Sequence, residues 1–102
     1  MPAAYVIVEM QISDPERYQA YMAAAPATIA AAGGEYVVRG GPLKVLEGDW
    51  QPHRVAVLRF PSIEQARAWY EGEGYRAARA KRAGATDYFN MIVVEGYVPP
   101  PA

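Results

Sequence analysis

The chain has 102 residues, one histidine and no cysteine, and its formal net charge is -1. The lack of cysteine excludes disulfides, cysteine nucleophiles and thiolate metal sites, and a single histidine excludes the usual zinc ligand sets within one chain. A net charge near zero gives no electrostatic reason to expect nucleic acid or an anionic membrane as a partner. Hydrophobic residues make up 52% of the chain, more apolar surface than a lone domain of this size easily buries, which favours self-association.

The amino-terminal residues contain no basic segment, and Glu9 interrupts their apolar run. This pattern predicts neither a signal peptide nor a membrane span, so we expect a cytoplasmic protein. We expect one domain over residues 1–98 and a flexible proline-rich tail over residues 99–102, because consecutive prolines cannot extend a strand ladder.

The first half of the chain reads as strand, helix, strand. The apolar run over residues 4–12 predicts the first strand, and the following Asp14 and Pro15 are a typical start of a helix. Apolar residues then recur at three- and four-residue steps over residues 16–32, which predicts a helix that ends at a glycine pair. Pro26 is predicted to kink or split this helix, because proline removes a backbone donor. Residues 35–39 form the predicted second strand.

The second half repeats the pattern after a hairpin-like arm. Residues 43–46 are predicted as a short edge strand, and residues 53–60 as the third strand of the main sheet. Ser62 and Gln65 match a capping box at the start of the next helix. The remaining predicted elements are a helical piece over residues 75–83 and a last strand over residues 88–97.

This order predicts an α+β fold of the ferredoxin-like split βαβ type, with one antiparallel sheet and the helices on one face. The alternation of side chains along a strand shows that both faces of the sheet are apolar. Tyr5 and Ile7 lie on one side of the first strand and Val6 and Val8 on the other. The helices can cover only one face, so we expect a homodimer in which the second face packs against a partner copy.

The sequence also resembles a known family through motifs spread over nearly the whole chain. These motifs are Asp14-Pro15-Glu16 with Tyr18, Gly33-Gly34, Val38-Arg39-Gly40-Gly41, Leu46-Glu47-Gly48 with Trp50, Arg54, Phe60-Pro61-Ser62, Ala68-Trp69-Tyr70, Tyr75, Arg82 and Val94-Glu95-Gly96. In combination they resemble the domain-of-unknown-function family numbered 1330, within the dimeric α+β barrel superfamily. The resemblance implies two split βαβ sheets that face each other across a dimer axis.

The resemblance implies no particular reaction. Related barrel families include cofactor-free monooxygenases, muconolactone isomerases and haem-dependent peroxidase-like enzymes, so the superfamily leaves the chemistry open. His53 has no expected counterpart in the resembled family.

Arg39 is the first candidate for a site, because it ends an apolar strand and precedes two glycines. A guanidinium in such a place either clamps a substrate carboxylate or enolate, or forms a salt bridge to Glu47 or to a carboxylate of the partner chain. Gly40 and Gly41 favour a close approach of the backbone to another group.

His53 is a candidate general base, together with Glu47 or Asp49, because histidine alone has an ordinary pKa near neutrality. A structural, exposed histidine at a strand start is the alternative. Ligation of haem by this one imidazole has no other support in the sequence, so no cofactor is predicted.

The remaining candidates lie in the second half of the chain. The substrate-binding candidates there are Trp69, Tyr70, Tyr75, Arg82 and Asn90. The aromatic residues fit either a flat pocket or ordinary core packing, and Arg82 belongs to a basic cluster that attracts anions or simply faces solvent. We therefore expect a small, anionic metabolite in a pocket between sheet and helices, with cofactor-independent proton transfer or oxygenation as the chemistry. The alternative is a non-catalytic protein in which Arg39 and the arm lock the dimer.

Overall fold

The structure, a computed structural model, describes residues 2–101 as four strands and three helices. In chain order these are β1 (Ala4–Ile12), α1 (Pro15–Ala31), β2 (Glu35–Arg39), β3 (Arg54–Phe60), α2 (Ile63–Glu71), α3 (Glu73–Ala80) and β4 (Thr86–Glu95). The strands form one antiparallel sheet in the order β2-β3-β1-β4. The predicted ferredoxin-like fold is therefore confirmed.

The helices cover one face of this sheet and form the hydrophobic core with it. Side chains of β1 alternate between buried and half-buried, and β3 repeats the alternation in register, with Val6 opposite Leu58. The buried residues shared by sheet and helices include Val6, Val8, Met10, Leu58, Phe60, Tyr18, Tyr21, Ile29, Trp69 and Tyr75. Because successive side chains of a strand point to opposite faces, the same register leaves the alternate residues on the uncovered face.

We call this uncovered side of the sheet the open face. Its central row pairs Ile7 of β1 with Val57 of β3 and Ile92 of β4, and Ile92 is 60% exposed. Val94 is a further large, exposed apolar residue on the same side of β4. The expectation that both faces of the sheet are apolar is confirmed by this arrangement.

Local signals in the sequence explain where the helices begin. The backbone N–H of Arg17 donates to the Asp14 carboxylate at 3.0 Å, and the N–H of Gln65 donates to the Ser62 hydroxyl at 3.1 Å. Each cap satisfies a donor that the first helical turn leaves without a partner.

Helix α3 starts at Glu73 and ends at Ala80, earlier at both ends than predicted, and β4 likewise begins and ends two residues earlier than predicted.

Pro26 was predicted to kink or split the first helix, and the split does not occur. Helix α1 runs unbroken over 17 residues with Pro26 inside it. Proline cannot donate to the carbonyl oxygen four residues earlier, which is that of Met22. The guanidinium of Arg39 supplies the missing donor, with Nη2 3.1 Å from the Met22 oxygen. A contact from the next strand thus compensates for the proline.

The predicted edge strand over residues 43–46 is also wrong. No residue between β2 and β3 is assigned to a strand, and residues 41–51, which we call the arm, are all exposed. Leu46 and Trp50 are 90% and 62% exposed. An apolar sequence becomes a strand only where a neighbouring strand pairs with it, and the arm has no such neighbour within residues 2–101.

Among residues 2–101, no helix has both the length and the apolar character that crossing a bilayer requires.

Candidate functional site

A small cavity lies between the sheet and helix α1, near the start of β3. It has a volume of about 30 Å³, and its charged lining residues are Arg39 and Arg54. Its remaining lining consists of Val8, Met10, Tyr18, Tyr21, Met22, Ile29, Tyr36, Ala56, Leu58, Phe89 and Met91. We call it the tyrosine–arginine cavity. In this state it has room for about one water molecule, because aromatic side chains fill most of the space.

Two arginines line this cavity and a third, Arg82, packs against the outside of its aromatic wall; none of the three has a carboxylate partner within residues 2–101. Within residues 2–101, the ion pairs involve Arg17, Arg59 and Arg67, whereas Arg39, Arg54 and Arg82 have no carboxylate oxygen within 4.0 Å. The salt bridge between Arg39 and Glu47 that the sequence suggested is therefore absent from this part of the chain. Instead, Arg39 donates to a main-chain oxygen and stacks on Tyr36, with its Cζ 4.5 Å from the ring centroid.

Arg54 occupies the space above a glycine. Gly40 has a φ of +70°, which favours glycine, and a Cβ at this position would collide with the guanidinium of Arg54. The backbone N–H of Gly40 donates to the Val55 oxygen at 2.9 Å, so the glycine is tied to β3. The sequence predicted that the backbone of the glycine pair closely approaches another group, and at Gly40 that group is Arg54. At Gly41, by contrast, an added Cβ would have no neighbour within 4 Å.

Arg82 lies behind the aromatic wall of the cavity. Its Cζ is 3.6 Å from the centroid of the Phe89 ring and 5.3 Å from that of Tyr21, as in a cation–π contact. The Nε atom of Arg82 is buried and has no hydrogen-bond partner within residues 2–101. A buried N–H without an acceptor is costly, so this atom marks a place where an anion or water would be stabilised.

The tyrosines of the cavity are held in their protonated form. Burial raises the pKa of Tyr18 to about 12, although the nearby charges of Arg54 and Arg82 act in the opposite direction. Burial also raises the pKa values of Tyr21 and Tyr36. The Tyr21 hydroxyl lies 2.7 Å from the Tyr75 hydroxyl. At neutral pH the cavity therefore offers hydroxyl donors and positive charge, and its lining contains no histidine or carboxylate.

His53 lies on the other side of the sheet, at one end of the open face. Its Nδ1 is 2.9 Å from the Tyr88 hydroxyl, which donates to Oε2 of Glu9 at 2.6 Å. We call these three residues the polar relay. The hydrogen bond to Glu9 raises the pKa of Tyr88, which keeps the hydroxyl protonated as a donor. His53 is therefore connected by hydrogen bonds through Tyr88 to the carboxylate of Glu9, and not to that of Glu47 or Asp49.

The remaining candidate site residues from the sequence lie outside the lining of the tyrosine–arginine cavity. Trp69 and Tyr70 line a separate groove of about 290 Å³ between α2 and β4, and the Trp69 ring is 4.2 Å from that of Tyr75 in the core. Asn90 pairs with Glu9 across β1 and β4, so it belongs to the open face and not to the cavity. Glu47 lies on the exposed arm. The sequence candidates are thus divided between the two faces of the sheet.

Sequence reasoning missed Tyr18, Arg54, Glu9 and Tyr88. The contact between Glu9 and Tyr88 joins residues 79 positions apart, and it depends on the register of β1 against β4. One signal was present, because Glu9 shares its strand side with Ile7 and is a charged residue on an otherwise apolar face.

Comparison with known proteins supports the fold. A protein of unknown function from Rhodopseudomonas palustris is 20% identical, with a TM-score of 0.73 over 96% of this chain and 85% of that one. A dimeric ferredoxin-like protein of unknown function from Thermobifida fusca is 19% identical, with a TM-score of 0.64 over 92% and 91%. SnoaB, a cofactor-independent oxygenase from Streptomyces nogalater, is 10% identical, with a TM-score of 0.63 over the whole of both chains.

No curated protein matches the sequence. At these identities the structural similarities establish the fold and leave the activity open. The sequence model of the family described as Domain of unknown function (DUF1330) matches residues 3–97, nearly the whole chain. The chain therefore belongs to the DUF1330 family.

Proposed function

We propose that the protein is a homodimer that binds a small organic anion in the tyrosine–arginine cavity. The dimer part of the proposal is supported by the open face, where Ile7, Val57 and Ile92 form an apolar row that the helices leave uncovered. The similar protein from Thermobifida fusca is described as dimeric, and packing of two open faces would bury this row.

Size-exclusion chromatography with light scattering tests the dimer. We expect a mass of twice the 11.2 kDa chain. Ile92→Asp would place a charge in the interface and shift the protein toward monomer. Arg76→Asp changes an exposed residue on helix α3 and is the matched control, for which we expect the mass of the dimer to be unchanged. A monomeric wild-type protein at all concentrations would overturn the proposal.

The ligand part rests on one observation, which is that Arg39 and Arg54 line a cavity with tyrosines, with Arg82 packed against its aromatic wall, and that no carboxylate pairs with these arginines within residues 2–101. Guanidinium groups form strong, charge-assisted hydrogen bonds to carboxylates and enolates. The buried Nε of Arg82 and the protonated tyrosines would favour the same kind of ligand. The aromatic lining adds a preference for a flat, partly apolar molecule.

The closed cavity is too small for such a ligand, so binding requires lining side chains to move. Met10, Met22 and Met91 line it, and methionine side chains are unbranched and rearrange at low cost. Arg39 is an exposed residue of the lining, and its side chain donates one hydrogen bond, to the Met22 oxygen. A carboxylate that replaces this main-chain oxygen as acceptor would open the entrance.

Isothermal titration with benzoate, a flat carboxylate, tests the ligand proposal, and native mass spectrometry of freshly purified protein would detect a natural ligand. We expect Arg54→Met to weaken benzoate binding by about 10-fold or more, because one charge-assisted bond contributes roughly 1.5–3 kcal/mol. Arg76→Met removes an equal charge outside the cavity and should leave the affinity unchanged. Equal affinity for the two variants, or no binding of benzoate and no co-purified anion, would contradict the proposal.

The lining supports binding and charge stabilisation more than proton abstraction. His53 and Glu47 lie outside the cavity, so the proposed reaction there does not use them as bases. The arginines and tyrosines of the cavity would stabilise negative charge on a bound anion, and SnoaB, which has a similar fold, is a cofactor-independent oxygenase. We therefore propose oxygenation ahead of proton transfer as the chemistry of any catalysis here.

One observation favours a purely structural role for Arg39 within its own chain, in which it binds no ligand. Arg39 donates to the Met22 oxygen of its own chain, which is a structural role independent of any ligand. In that alternative Arg39→Met lowers stability, and benzoate affinity is unaffected by it. In the binding proposal the same variant also weakens benzoate binding.

A further inference from the structure

The open face is apolar along most of its length, but it is polar at one end. There the polar relay joins three elements, with Glu9 on β1, Tyr88 on β4 and His53 just before β3. Glu9 is half-buried in the single chain, between Val55 on one side and Asn90 on the other. A second copy packed on this face would remove the carboxylate further from water.

The hydrogen bonds of the relay assign its protons. Because the Tyr88 hydroxyl donates to Glu9, its oxygen accepts from His53, and the imidazole proton lies on Nδ1. A second proton would therefore go to Nε2. The net charge of the relay is -1 when the imidazole is neutral and zero when it is an imidazolium.

We infer that protonation of His53 strengthens the pairing of two copies through the open face, so that the polar relay makes dimer stability depend on pH near neutrality. The inference rests on the proposed homodimer. Burial of a net charge is costly, whereas burial of a hydrogen-bonded group of zero net charge costs much less. Two neutral-histidine relays would bring two negative charges into one interface, and two protonated relays would bring none.

Other charges on the same face do not change this balance. Glu35 and Arg59, at the far end of the open face, pair with each other at 3.3 Å. Arg54 follows His53 in sequence, but it points to the cavity side of the sheet. The charged arm residues Lys44, Glu47 and Asp49 are exposed and make no ion pair within the described residues.

The chain is suited to a direct test because His53 is its only histidine. We expect the dissociation constant of the dimer, measured by analytical ultracentrifugation, to fall at least about 10-fold from pH 8 to pH 6, because uptake of one proton per subunit changes the constant by up to 100-fold per pH unit. In proton NMR, the titration midpoint of the His53 ring should move to higher pH as protein concentration rises.

Three variants distinguish the relay from a general effect of pH. Glu9→Gln makes the relay neutral while His53 is neutral and positively charged when His53 is protonated, so the dimer should be tight at pH 8 and should no longer become tighter at pH 6. His53→Gln should remove the pH dependence and leave the dimer weak. Glu35→Gln changes a carboxylate of the same face outside the relay, and it should keep the ratio of the constants at pH 6 and pH 8.

The outcomes separate this inference from the proposal on which it rests. A dimer with the same dissociation constant at both pH values, or one that still becomes tighter toward pH 6 in Glu9→Gln, would overturn the role of the relay and leave the homodimer standing. A protein that stays monomeric at every pH and concentration would overturn the homodimer and the inference together.

Discussion

Arg39 donates a hydrogen bond to the helical carbonyl oxygen that Pro26 leaves without its usual donor. The Nη2 atom of Arg39 lies 3.1 Å from the oxygen of Met22, four residues before the proline. The second strand thereby supports the first helix at its one interrupted position, and it does so with a side chain that also borders the tyrosine–arginine cavity.

The first prediction concerns the coupling between these two residues. Arg39→Met in the wild-type background should lower the free energy of unfolding by roughly 1 kcal/mol, because the Met22 oxygen loses its donor. In a Pro26→Ala background the new backbone N–H serves this oxygen, so the same change should cost less. Urea unfolding of the four proteins at one concentration measures the coupling, which we expect to be about 0.5–1.5 kcal/mol.

Arg76→Met serves as the control, because this exposed residue makes no bond to α1 within residues 2–101. Its cost should be the same in both backgrounds. An Arg39→Met cost that does not change when Pro26 is replaced would contradict the compensation.

The second prediction concerns alkaline pH. The pKa of Tyr18 is raised by burial from 10.0 to about 12, so the folded protein holds this proton more tightly than the unfolded chain does. The resulting stabilisation is complete below pH 10 and is lost as the pH rises from 10 to 12. Across this window the wild type should lose about 2 kcal/mol more stability than Tyr18→Phe does.

Unfolding in urea at a series of pH values, followed by circular dichroism, measures this difference. Tyr97→Phe, a change at an 82% exposed tyrosine, should retain the wild-type slope. Parallel curves for wild type and Tyr18→Phe would show that Tyr18 is not held protonated.

The third prediction concerns close packing at a glycine. A Cβ at Gly34 would lie 2.6 Å from Cε1 of the fully buried Phe60 ring, which packs on Trp69. Gly34→Ala should therefore destabilise the fold by roughly 1–3 kcal/mol, through displacement of a core ring. Thermal unfolding measures the effect. Gly41→Ala, where nothing lies within 4 Å, should leave the melting temperature nearly unchanged, and equal shifts for the two variants would contradict the argument.

The fourth prediction concerns the tryptophan of the core. The indole Nε1 of Trp69 donates to the Thr28 hydroxyl at 3.0 Å, and that hydroxyl donates to the Ala25 oxygen at 2.7 Å. Thr28→Val keeps the shape but leaves the buried indole N–H without an acceptor, which should cost about 1–2 kcal/mol in urea unfolding. Thr28→Ser keeps the hydroxyl and should recover most of the loss. A valine variant as stable as the serine variant would contradict this role for the hydroxyl.

The fold could be predicted from the sequence to the extent that local signals determine it. Asp14 with Pro15 and the glycine pair after α1 set the bounds of β1, α1 and β2 nearly as observed. The errors arose where a distant contact decides the structure. Pro26 is accommodated by an arginine from another element, and residues 43–46 lack the neighbouring strand that their apolar pattern would require.

The candidate site was less predictable, because it depends on strand register. Arg39 and Arg82 were identified from their positions, but Arg54 was overlooked because its contact with Gly40 follows from the pairing of β2 with β3. His53 was identified as a titratable group, whereas its carboxylate, Glu9, lies on a strand at the other end of the sequence. Cross-strand neighbours of this kind cannot be read from spacing along the chain.

The two tryptophans of the chain occupy opposite environments. Trp69 is 5% exposed and stacks against Tyr75 and Phe60, whereas Trp50 is 62% exposed on the arm. Fluorescence from an indole in the core and from one in water differs in wavelength and in its accessibility to quenchers. The protein thus carries two intrinsic optical reporters, one for the integrity of the core and one for whatever comes to lie against the arm.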